Sequence, residues 1–120
     1  RRVGRLCRQL EDGVKLASLR QGRDGQLVVV DRALQRCVPV PQVAATLQQA
    51  LDDWARTAPA LRDIAAALER GAMAGALPFD ARACAAPLPR AHHWVDGSAY
   101  VNHVELVRKA RGADMPPSFW

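Results

Sequence analysis

The apolar residues of this chain change period between Val40 and Val43, and that switch limits the folds open to it. Before the switch, "VKLASLR" (14–20) alternates as a short strand. "QGRDGQ" follows as a turn signal, and "LVVVD" (27–31) is a β-branched run. Two such runs around a glycine-containing turn predict a β-hairpin. "RCVPVP" (36–41) is a third extended segment. Its two prolines suit an edge strand or a strand end, because proline has no N–H to give to a ladder. After the switch, Val43, Leu47, Ala50, Leu51 and Trp54 recur at helical spacing. "TAP" (57–59) reads as a break, with Pro59 in the first turn of a second helix. Leu61, Ile64, Ala65 and Leu68 form its apolar stripe and Gly71 its stop. The expectation is an α+β domain, a helical hairpin laid on a small sheet. "LPFDARACAAPLPR" (77–90) reads as extended chain between prolines.

Good strand patterning starts at Val14, so residues 1–13 are set apart as leader or disordered sequence, upstream of a start at Val14. The N-terminal domain is taken as 14–88. The remainder, 89–120, is taken as the start of a further domain. With Arg1 first and "MPPSFW" last, the chain reads as the front piece of a longer protein. Of 120 residues, 49% are hydrophobic, enough to pack a core. The net charge of +5 is carried in part by Arg1, Arg2, Arg5 and Arg8. No basic stripe is interleaved with aromatics, and aromatics make up only 5% of the chain, so no nucleic-acid partner is expected. No apolar run is long enough to span a bilayer, so no membrane partner is expected either. Cys7, Cys37 and Cys84 are odd in number and widely spaced, which suits reduced thiols and a cytoplasmic location.

"DGSAYVNHVELVRKARG" (96–112) carries the chemistry. Wound as a helix from Asp96 at ~100° per residue, it places Asn102, Glu105, Arg108 and Lys109 on one polar face. Ala99, Tyr100, Val104, Leu106, Val107 and Ala110 form the opposite, apolar stripe. His103 falls at the centre of that stripe, and Asp96 lies along the same line. Burying both is costly unless each is hydrogen-bonded, paired or metal-bound. Seven residues apart, they are separated by roughly 10 Å of helix rise and need partners other than each other. The plain structural alternative is that Asp96 caps the helix and His103 is a satisfied core residue. His92 and His93 stand nearby, and His93-x-x-Asp96 lacks the fuller spacing of a zinc motif.

"PLPRAHHWVDGSAYVNHVELVRKARGADMPPSFW" resembles the start of the catalytic domain in the bacterial branch of the fumarylacetoacetate hydrolase family. The upstream segments from Val14 resemble the small N-terminal domain that precedes it. The specific part is the Asp-x6-His spacing followed by Arg-Gly. The resemblance implies that the chain ends in the first helix of a truncated, mostly-β catalytic domain. It implies that Asp96 is a ligand of Mg²⁺, Mn²⁺ or Ca²⁺, in a site completed by ligands missing from this chain, a Glu-x-Glu pair and a later Asp. It implies that His103 is the general base, oriented by a later Glu, and that Arg111 contacts substrate oxygens. The family's Tyr two residues after the Asp is Ser98 here, with Tyr100 the nearest tyrosine. Both positions are assigned to substrate binding, and the departure leaves the acyl group of the substrate open.

The chemistry so implied is hydrolysis of a C–C bond in a fumarylacetoacetate- or acylpyruvate-like keto acid, a step of aromatic catabolism. A hard cation suits the expelled enolate, and an imidazole suits proton removal near neutral pH. A homodimer is implied for the full-length protein, and inactivity for this piece alone. The rival expectation is a small basic interaction module for a protein or nucleic-acid partner.

Overall fold

The computed structural model describes residues 13–95, 97 and 100–115. The chain divides into two compact units, residues 1–90 and 91–120. The first is an α+β domain. Its sheet holds β1 (Lys15–Leu19), β2 (Gln26–Val30), β3 (Arg36–Pro39) and β4 (Leu77–Pro78), all antiparallel, in the order β1-β2-β3-β4. Two helices, α1 (Leu47–Asp52) and α2 (Trp54–Glu69), lie between β3 and β4 in the chain.

The hairpin expected around "QGRDGQ" is β1–β2, with Ser18 opposite Leu27. Gly25 is required there. Its φ of +74° is in the left-handed region, and a Cβ would come within 2.9 Å of the Ser18 Cβ. Along β2, Leu27, Val28, Val29 and Val30 are all buried. Alternation sends them to opposite faces. Leu27 and Val29 join Val38, Val40, Leu61 and Leu68 in the larger core, under α2. Val28 and Val30 join Cys37 in a smaller cluster, flanked by Ala17 and Leu19 of β1 and packed against by Phe79. Each fully buried Val or Leu contributes roughly 1.5–3 kcal/mol, so a strand covered on both faces is the most heavily stabilised element of the sheet.

The second cover comes from residues 77–90. Leu77 pairs with Cys37 on β3, and Phe79 N–H donates to Gln35 O at 2.9 Å. Residues Ala81–Ala83 form one 3-10 turn. Cys84 then bridges to Leu19 on β1, with Ala85 N–H donating to Ser18 O at 2.9 Å. The segment therefore reaches the sheet beside β3 and again beside β1. The Ser18 hydroxyl donates to Pro87 O at 2.7 Å, and Arg90 makes a two-point ion pair with Asp24 in the β1–β2 turn. The prolines of "RCVPVP" fall where a missing N–H does little harm. β4 pairs only with Arg36 and Cys37, so Pro39 carries no ladder partner on that side.

The break between the two helices lies at Asp53 and not at "TAP". Asp53 alone leaves the helical conformation (φ −131°, ψ 48°), and α2 runs through Pro59, which is exposed. Thr57 accounts for the difference. Its hydroxyl is buried and donates to Ala50 O at 2.7 Å, with Asp53 O at 3.1 Å also in reach. It thereby satisfies a terminal carbonyl of α1 that has no helical partner. Thr46 caps the start of α1 by accepting from Gln49 N–H at 3.2 Å, while Gln49 Oε1 accepts from Ala45 N–H at 3.0 Å, a reciprocal arrangement close to a capping box.

Asp31 ties sheet to helix. Its buried carboxylate accepts from Gln35 N–H at 2.8 Å, Arg36 N–H at 3.1 Å and Arg36 Nε at 3.2 Å. Arg36 Nη2 then donates to Leu68 O at 3.0 Å near the end of α2, and Glu69 accepts from Arg32 N–H at 2.6 Å. The Arg36 N–H does most to hold the Asp31 carboxyl below its ordinary pKa. Desolvation opposes it, and the Gln35 N–H and Arg36 guanidinium add to the lowering. Among the described residues, every buried side-chain N or O has a hydrogen-bond partner.

Two outcomes are expected. Thr57→Val keeps shape but strands the Ala50 carbonyl, and should cost about 1–3 kcal/mol in urea unfolding; an unchanged midpoint removes Thr57 from the joint. Asp31 binds its proton less readily folded than unfolded, so its contribution is present above the ordinary carboxylate pKa. It is lost as pH falls through the lower, folded value. The Asp31→Asn variant should therefore show a shallower fall in thermal midpoint below that range, with Asp24, also lowered by its Arg90 partner, supplying part of what remains. An acid limb as steep as wild type contradicts the assignment.

Candidate functional site

In the second unit, α3 (Val101–Ala110) carries the residues singled out by the motif. It is shorter than the 96–111 helix expected. Tyr100 is its N-cap, with an extended backbone (φ −98°, ψ 128°) and no side-chain capping bond. Asp96 and Ser98, the expected metal ligand and substrate contact, lie outside the described residues. The helix ends in a defined way. Gly112 has a φ of +67°, its N–H donates to Lys109 O at 3.0 Å, and Ala113 N–H donates to Arg108 O at 2.9 Å. That pair of bonds is a Schellman cap, for which glycine is the favoured residue. The Arg-Gly of the motif thus has a local physical reason: Gly112 turns the chain and Arg111 sits at the C-cap. Arg108 and Lys109 in the last turn complement the negative end of the helix dipole. Arg108 Nε also donates to Asp114 O at 2.7 Å.

The expected burial of the apolar stripe is not found. Leu106 is 67% exposed and Tyr100 76%, and His103 is exposed as well. Among the described residues of 91–115, no side chain is buried. A ten-residue helix has one apolar stripe and needs another layer to bury it. The argument from the cost of burying His103 therefore does not apply in this structure, and what remains is the pattern. Leu106, Val107 and Ala110 stand three, four and seven residues from His103, on its face of the helix. His103 N–H donates to Asn102 Oδ1 at 2.9 Å. Arg111 is eight residues from His103, about 12 Å of backbone rise along the axis.

Among the described residues, no three His, Cys, Asp or Glu side chains come together to hold a metal ion. No described helix is long and apolar enough to cross a membrane. The polar groups that sequence reasoning missed are Asp31, Thr57 and Ser18, all buried and all structural. The signal for Asp31 was an aspartate closing a β-branched strand, with a turn and Arg36 following.

A family model described as fumarylacetoacetase N-terminal domain 2 matches residues 14–90. The match spans more than half of the chain, and the chain belongs to that family, as an N-terminal domain of the fumarylacetoacetate hydrolase family. No curated protein matches it. The family match lends no support to the rival reading of a free-standing basic interaction module.

Replacing Gly112 by Ala should cost about 1 kcal/mol at the end of α3, since a Cβ is disfavoured in the left-handed region. The expected readout is reduced helical Cα secondary shifts over residues 107–111, with Gly112→Asn less affected. Equal shifts in all three proteins would show that the cap does not hold the helix end.

Proposed function

We propose that this chain is the N-terminal domain and first catalytic helix of a metal-dependent hydrolase. It cleaves a C–C bond in fumarylacetoacetate- or acylpyruvate-like keto acids. The observation that carries the proposal is a family match over 14–90 followed directly by Asp96-x6-His103 and Arg111-Gly112. In hydrolysis of this kind, water adds to the acyl carbon as the C–C bond breaks. The acyl fragment leaves as a carboxylate, and the electron pair departs on the other carbon as an enolate, which then takes up a proton. His103 accepts the proton from the attacking water. Arg111, fixed at the C-cap, holds substrate carboxylate oxygens, since a guanidinium pairs with them through two N–H groups. Ser98 and Tyr100 contact the same substrate. Asp96 would hold Mg²⁺, Mn²⁺ or Ca²⁺ together with carboxylates of the rest of the catalytic domain, and the cation would stabilise the enolate oxygens.

The exposed stripe of α3 supports this reading indirectly. A helix with Tyr100, Val101 and Leu106 exposed has apolar surface still to be covered, and the body of a catalytic domain is the cover proposed. The domain of 14–90 is satisfied internally and serves as a structural support, for a homodimer in the cytoplasm.

In the protein carrying a complete catalytic domain, His103→Ala should lower kcat by roughly 10²–10⁴-fold, the usual worth of a general base. The thermal midpoint should stay close to wild type. Retained turnover with a lowered midpoint would make His103 a packing residue. This 120-residue chain alone, given Mg²⁺ and an acylpyruvate, should leave the enol absorbance unchanged. Metal-dependent loss of that absorbance would overturn the assignment of the missing ligands.

A further inference from the structure

We draw no further inference here: the strongest candidate, a cleft of about 340 Å³ between the start of β1 and the Arg62–Glu69 stretch of α2, mixes Lys15, Arg32 and Arg62 with Asp63 and Glu69 around an alanine floor, and nothing in the structure shows what covers it.

Discussion

Everything in the first unit depends on β2 being buried on both faces. One face takes α2, and the other takes the segment 77–90. An antiparallel sheet can leave one face to water, but the four consecutive apolar residues of β2 put Val28 and Val30 on the second face, and burying them there adds to the stability. Here the cover on the second side is a strap with a single 3-10 turn, held by backbone bonds to β1 and β3 and not by a helix. The strap also explains why Ser18 tolerates burial, since its hydroxyl finds Pro87 O. The Asp24–Arg90 pair joins the last residue of this unit to the β1–β2 turn. It is exposed, so its role is to fix geometry more than to add free energy.

The other tie runs through charge. Asp31 organises the β2–β3 turn by accepting from two backbone N–H groups, and Arg36 carries the connection to the end of α2. A buried carboxylate left alone would be expensive. With three donors it becomes the hinge point between sheet and helix layers, and the same arginine caps a carbonyl near the helix end.

Much of this was legible in the amino-acid order, and the misses have physical reasons. The hairpin, the third strand and the two helices follow from a period of two giving way to 3.6. The four consecutive apolar residues of β2 were also a sign that both faces would be covered, but nothing local says which segment does so. The strap's covering role therefore came only with the tertiary structure. "TAP" was misplaced as a break because Thr57 and Pro59 look like breakers in isolation. A threonine hydroxyl that reaches back to Ala50 O makes the same residue part of the joint. On α3, the face shared by His103, Leu106 and Val107 was readable, and the Arg-Gly ending is accounted for by the Gly112 cap. Burial of that face was not, because burial depends on a second layer that a helical period cannot supply.

On the proposed reading, the 14–90 domain leads into a catalytic domain whose site uses His103 on α3 and Asp96, which precedes that helix in the chain. The most direct measurement is to read the gene past the codon for Trp120. The account predicts an open frame with a Glu-x-Glu pair and later acidic residues able to complete a cation site with Asp96. A stop codon there, or an open frame without such carboxylates, would contradict it.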